Sequence, residues 1–220
     1  MSVLVTNYLE LTELMPEDGR LYREGVSWDE YEEILDELSG VRNVRVSYDQ
    51  GRMEIMAISP EHEAYSRLFG YLIQILTEEL NLEFVSRGSV TLKRRSKGKG
   101  KEADDCFYIG NLERVIGKKR LDLDWDAPPD LAIEVDITNP TLEKFPIYAG
   151  LGVPEIWHYE HGLVEFYQLE EDDYLSVSAS RLFPFLTSDV VTEAIERGES
   201  EGINAMRREF RRWVQENKPQ

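Results

Sequence analysis

Apolar positions along the chain recur with two periods. Tyr31, Ile34, Leu35 and Leu38 lie three or four residues apart, as do Tyr65, Leu68, Phe69, Leu72, Leu76 and Leu80, and later Ile203, Met206, Phe210, Trp213 and Val214. That spacing keeps one helical face apolar and predicts three amphipathic helices. Ser27 followed by Glu30 reads as a capping box, and Ser59-Pro60-Glu61 supplies a cap, a first-turn proline and an acid at the positive end of the dipole. A further helix is expected over about 188–197. Another should begin at Asn139-Pro140-Thr141, carry Lys144 and end at the Gly150–Pro154 cluster, with Pro146 implying a kink or a later start.

Elsewhere the period is two. Residues 44–48 and 52–58 flank Asp49-Gln50-Gly51 and predict a hairpin. Residues 83–86 and 89–92 flank Arg87-Gly88 and predict a second pair of short strands, followed by a brief strand over 102–109 that begins with acids. Segments 155–159, 163–167 and 174–177 are rich in aromatic and β-branched residues and predict an antiparallel meander. Residues 111–126 are polar and mixed, a loop with one helical turn. The stretch up to about Glu24 has few periodic apolar positions and is expected as an arm or short irregular segments packed on the domain.

One strand carries an unusual face. From Asp130 to Ile137, Leu131, Ile133, Val135 and Ile137 point one way while Asp130, Ala132, Glu134 and Asp136 point the other. Carboxylates on one face repel, so the arrangement calls for a metal, a lysine or open water.

Composition adds limits. The 220 residues suffice for one sizeable domain and hold no apolar run long enough for a membrane span. A signal-peptide pattern is missing and Cys106 is the single cysteine, so a cytoplasmic setting is expected. The net charge of -18 argues against a protein that coats nucleic acid. A local basic segment nevertheless exists: Lys93, Arg94, Arg95, Lys97, Lys99 and Lys101 crowd together with Gly98 and Gly100 between them. It reads either as a solvated loop or as a phosphate-binding one.

Hard divalent cations take a few carboxylate oxygens and keep their remaining waters. Residues four apart on a strand are separated by about 13 Å, whereas neighbouring strands lie about 4.8 Å apart. Asp130 and Glu134 therefore do not share an ion easily, while Glu134 and an acid on the adjacent strand can. Asp104 is the best candidate, Asp136 could flank the site through water, and Lys144 is the nearest cation after the strand. His62 and Glu63, in the first turn of their helix, read as a polar helix start or as helpers for a metal or phosphate. His158 and His161 read as a strand and a turn residue.

Three segments carry a resemblance: Lys101–Ile109, Pro128–Thr138, and Ile147–Trp157 with its Tyr148-Ala149 and Gly152-Val153-Pro154-Glu155 pattern. Together they resemble the bacterial restriction-endonuclease family of the Uma type, within the PD-(D/E)XK nuclease superfamily. The resemblance implies an α/β, restriction-endonuclease-like fold: a mixed β-sheet flanked by helices in αβββαβ order, here with an added N-terminal hairpin and C-terminal helices. It divides the chain into an arm (1–24), a nuclease-like domain (25–186) and C-terminal helices (187–220) that pack on the domain or on a partner. It further implies metal-dependent hydrolysis of phosphodiester bonds in DNA, with Mg²⁺ or Mn²⁺ on Asp104 and Glu134, and Lys144 as the catalytic lysine. His62, Asp130 and Asp136 would flank the site, and the segment from Lys93 to Lys101 would meet the DNA. The superfamily's lysine position, two residues after the second acid, is Asp136 here, and the proline before the first acid is Ala103. A homodimer would supply two sites for two strands. The competing reading is a catalytically degenerate nuclease fold acting as an interaction module.

Overall fold

Two sheets share this chain, and the polypeptide passes from one to the other at Ala103 and Asp104. The computed structural model describes residues 7–41, 43–118, 120–137 and 143–219. Its elements in chain order are α1 (Tyr8–Leu14), β1 (Arg20–Arg23), α2 (Trp28–Glu37), β2 (Val44–Asp49), β3 (Arg52–Ala57), α3 (Pro60–Leu80), β4 (Val85–Ser86), β5 (Thr91–Arg94), β6 (Lys99–Glu102), β7 (Asp105–Tyr108), α4 (Leu112–Val115), β8 (Leu131–Asp136), α5 (Phe145–Leu151), β9 (Glu155–Glu160), β10 (Leu163–Glu170), β11 (Asp173–Val177), α6 (Ser188–Ser200) and α7 (Ile203–Asn217).

The first sheet has the order β1-β3-β2-β6-β5 and the second β11-β10-β9-β8-β7-β4. β8 and β9 are parallel, with α5 in the crossover, and the other pairings are antiparallel. In the second sheet the elements α3, β4, β7, β8, α5 and β9 follow the expected αβββαβ order. β5 and β6 are an excursion from that order into the first sheet. The fold is α/β, with helices flanking two sheets rather than one.

Local signals explain most elements. The β2–β3 hairpin closes through Gln50 and Gly51, both at positive φ (49° and 93°), the primed-turn geometry that matches strand twist. Ser59 Oγ accepts from the His62 amide at 3.3 Å, and Pro60 opens α3. At α2 only half of the capping box forms: Ser27 Oγ accepts from the Glu30 amide at 3.1 Å, while the Glu30 carboxylate pairs with Arg23 at 3.0 Å. A cation on neighbouring β1 outcompetes the backbone for that carboxylate.

The apolar face of β8 (Leu131, Ile133, Val135) packs with Phe69, Leu72 and Leu76 of α3 and Met206, Phe210 and Val214 of α7. The last helix therefore spends its apolar face on its own domain, and the surface that had suggested a second copy is taken. Ala132 on the other face joins Ile147, Tyr148 and Leu151 of α5 and Leu92 of β5 in a second cluster. Tyr31, Ile34, Val46, Tyr48 and Ile55 form a third under α2.

Two expectations need correction. The arm over residues 1–24 contributes α1 and β1, and β1 pairs with β3 along its length. Segments 83–86 and 89–92 do not pair with each other: β4 joins β7 and β5 joins β6, in different sheets. Arg87-Gly88 is thus a crossing, not a hairpin tip, because each short strand finds a better-buried partner. Helix α5 is described from Phe145, with Pro146 in its first turn and Lys144 at its N-cap position. The expected start at Asn139-Pro140-Thr141 lies outside the described residues.

Gly100 shows how closely α2 is held to β6. A Cβ there would lie 2.6 Å from Cζ of Tyr31, which is fully buried and stacked on Tyr48 with centroids 4.6 Å apart. Gly100→Ala is expected to destabilise the fold by about 1–3 kcal/mol through overpacking. An unchanged urea midpoint would show that α2 yields at no cost.

Candidate functional site

The site lies where the two sheets meet under the N-terminus of α5. β6 ends in the first sheet at Glu102 and β7 begins in the second at Asp105, which leaves Asp104 in the crossing. The β7–β8 ladder reaches Asp105 opposite Ile133. Just past that pair, the Asp104 side chain takes over as acceptor: the Val135 amide donates to Oδ2 at 2.8 Å. Two side chains flank this carboxylate, His62 Nε2 at 3.4 Å from Oδ2 and Arg45 Nε at 3.6 Å from Oδ1. His62 arrives from the first turn of α3, and Arg45 comes from the inner face of β2.

Glu134 and Asp136 project from β8 toward α5. Lys144 Nζ lies 2.7 Å from Glu134 Oε2 and 2.6 Å from Asp136 Oδ1, so one ammonium bridges both acids. Lys101 Nζ, from β6, lies 3.2 Å from Glu134 Oε1, which also accepts from the Tyr148 hydroxyl. His158 of β9 stands beside Glu134 in the parallel ladder, and its Nε2 is 2.8 Å from Asp136 Oδ2. An ionised carboxylate only accepts, so His158 donates through Nε2. All of these side chains are buried, and a cavity of about 390 Å³ opens beside Glu134, Asp136, Lys144, Tyr148 and His158.

The charges respond to one another. Burial and the neighbouring charge of Glu134 push the Asp104 carboxyl above its usual range, against the pull of His62, Lys144 and Lys101. Burial would raise Glu134 too, but Lys101 and Lys144 outweigh it and hold its pKa at about 2. At Asp136, His158 and Lys144 likewise overcome burial and hold the carboxyl well below the usual range. Burial favours a neutral Lys144 amine, yet Glu134, Asp136 and Asp104 keep its pKa above the ordinary lysine value. Lys144 is therefore a permanent cation at neutral pH, suited to donating hydrogen bonds and stabilising negative charge rather than to accepting a proton.

The predicted residues sort into two groups. Asp104, Glu134, Asp136, Lys144 and His62 converge. Asp130 is committed elsewhere: it accepts from the Ile109 amide at 2.7 Å, and from the Asn111 amide and side chain at 2.9 Å each, so it closes the turn after β7. The basic segment is a strand pair rather than a loop, and most of its cations are engaged within the protein. Lys93 pairs with Glu32, Arg95 with Asp29 and Glu32, and Lys99 with Asp49. Arg94 donates to the carbonyls of Leu123 and Gly150. Lys101 enters the site, and Lys97 is exposed, without an ion pair among the described residues.

Lys101, Arg45, Tyr148 and His158 are the participants that sequence patterning had not assigned to the centre. Alternation along β6 separates Lys99 and Lys101 from Gly100 and Glu102, but nothing local says which sheet they face. His158 becomes visible only through the parallel register that sets it against Glu134.

Fold and site together define an α/β protein with a buried carboxylate–lysine centre at a crossing between sheets. The chain belongs to the Uma2 family, described as "Putative restriction endonuclease", whose profile matches residues 28–197. Nothing among the curated proteins matches it. Among solved structures, it is similar to a putative nuclease belonging to DUF820 from Anabaena variabilis ATCC 29413, at 10% identity over 74% of this chain and 90% of that one, with a TM-score of 0.42.

Asp105, next to the crossing, turns away from the centre and accepts from Ser86 Oγ and from the Cys106 amide, both at 2.8 Å. Burial pushes its pKa up to about 6. A folded-state pKa above the unfolded value of about 3.9 contributes stability at low pH that is lost as pH rises through about 6. Asp105→Asn should thus be near neutral at pH 4 and stabilising at pH 8, by on the order of 2 kcal/mol. Denaturant titrations at the two pH values check this, and a pH-independent difference would contradict it.

Proposed function

We propose that this protein is a metal-dependent endonuclease that hydrolyses phosphodiester bonds in DNA, with Asp104 and Glu134 as the carboxylates that hold Mg²⁺ or Mn²⁺. The observation that carries this reading is the convergence of two buried acids, from a strand crossing and a central strand, with Lys144 2.7 Å from one of them. The donor set suits a hard divalent cation in kind. Of its buried polar atoms, His62 Nε2 has no well-directed hydrogen bond, and Glu134 Oε2 faces the Lys144 ammonium at 2.7 Å. Among the described residues no three His, Cys, Asp or Glu side chains are already grouped around an ion position, so water and substrate phosphate would complete the coordination.

When bound, the ion would supply Lewis-acid stabilisation and a more acidic water. The chain's own residues do the rest. Lys144, kept cationic by its three carboxylate neighbours, donates toward the attacking water or the charge developing on phosphate. Asp136 anchors Lys144 and is itself held by His158, so the lysine approaches from the helix while an acid stands two residues after Glu134. Exposed Lys97 is left to meet the DNA backbone, since the other cations of its segment already have internal partners. Among the described residues no helix is long and apolar enough to cross a membrane. A cytoplasmic setting, in which buried Cys106 stays a free thiol, completes the reading.

One observation favours the competing interaction module: the acids are already neutralised by Lys101, Lys144 and Arg45. Plasmid cleavage separates the two. Glu134→Gln and Lys144→Met should each lower Mg²⁺-dependent cleavage by about 10²-fold or more while the far-UV spectrum stays native. Wild-type cleavage that survives excess chelator would rule out the metal assignment, and no cleavage under any divalent cation would favour the module.

A further inference from the structure

The charge balance of the centre has a consequence for how a cation gets in. Asp104, Glu134 and Asp136 are matched inside the protein by Arg45, Lys101 and Lys144. Glu63, Glu143 and Glu160 stand at more accessible positions around the centre. A divalent ion added to a balanced, buried cluster brings two uncompensated charges into a low-dielectric space, which is unfavourable unless a cation leaves or an anion comes with it.

The two lysines on Glu134 are not equally held. Lys144 is gripped by a second carboxylate, Asp136, which His158 anchors in turn. Lys101 is in ion-pair contact with Glu134 alone among the described residues and donates to the neutral carbonyl of Glu102 at 2.9 Å, while Asp104 and the Glu102 carboxylate act on it at longer range. Its ammonium also lies 6.0 Å from the centroid of the Tyr148 ring, a face that attracts a cation released from the carboxylate. Lys101 is therefore the more displaceable of the pair.

We propose that Lys101 is the resident counter-cation of Glu134, so that a divalent cation is admitted only when Lys101 gives up that carboxylate or an anionic phosphate arrives together with the ion. The proposal rests on the metal-dependent reading above. It makes the free protein a weak metal binder by design and gives Lys101 a role distinct from contacting DNA.

Calorimetric titration with Mn²⁺ alone, on the full chain, tests it. Lys101→Met should bind Mn²⁺ at least tenfold more tightly than wild type, and its melting temperature should rise more on adding Mn²⁺. Lys101→Gln, which keeps a donor for the Glu102 carbonyl, should behave alike, Lys101→Arg should stay weak, and Glu134→Gln should abolish the gain. Wild type and Lys101→Met binding equally through Glu134, or Lys101→Met and Lys101→Gln binding more weakly or failing to fold with Mn²⁺ present, would overturn the proposal while the metal assignment stands. No Mn²⁺ binding at Glu134 in any of these proteins would overturn both.

Discussion

Glu134 is the group on which the centre depends. A buried carboxylate loses its hydration and persists as an anion only if cations replace it. Here one cation comes from the first sheet, through Lys101 on β6, and the other from the N-cap position of α5, through Lys144. A single side chain on the central strand thus ties two sheets and a crossover helix together. Removing either lysine leaves a charge in the interior, so structural and chemical demands fall on the same residues.

The strand crossing supplies the second half. Between β6 and β7, which belong to different sheets, the Asp104 amide still donates to the Ile133 carbonyl of β8 at 3.2 Å, and its carboxylate turns onto the Val135 amide of the same strand. That contact ties the Asp104 carboxylate to the backbone of the strand that carries Glu134. His62 follows from the same junction: the hairpin ending in β3 leads directly into α3, whose first turn abuts the crossing. The inner face of the first sheet is accordingly polar, with Arg45, Ser47, Asp49, Lys99 and Lys101 buried or nearly so between the sheets. A layer that ordinary patterning would make apolar has been given to ion pairs, which lend orientation at the cost of desolvation.

Much of this was legible from local chemistry. The Gln50-Gly51 turn, the Ser59-Pro60 helix start, the meander and the amphipathic last helix all rest on interactions within a few residues of each other. The acidic face of β8 was legible too, since alternation alone separates Glu134 and Asp136 from Val135. Its surroundings were not. An acidic face suggests water, yet α5 and β6 cover it and all six residues of β8 are buried. The internal pairing of the cationic run from Lys93 to Lys101 was not legible for a related reason: a cluster of charge in sequence does not show that its partners, Glu32, Asp49 and Glu134, lie far off in the chain.

By itself, then, the sequence determined the helices and strands whose signals are short-ranged, the face on which the acids of β8 stand, and the separation along that strand that keeps Asp130 from sharing an ion with Glu134. Tertiary structure alone decided which cations meet those acids. Packing of the first sheet against the second brings Lys101 to Glu134 from 33 positions away, and the parallel register of β8 and β9 brings His158 to Asp136 from 22, between elements that carry no local record of each other. The physical reason is that an ion pair in the interior is a long-range contact, fixed by the packing of two sheets and not by the propensity of either partner.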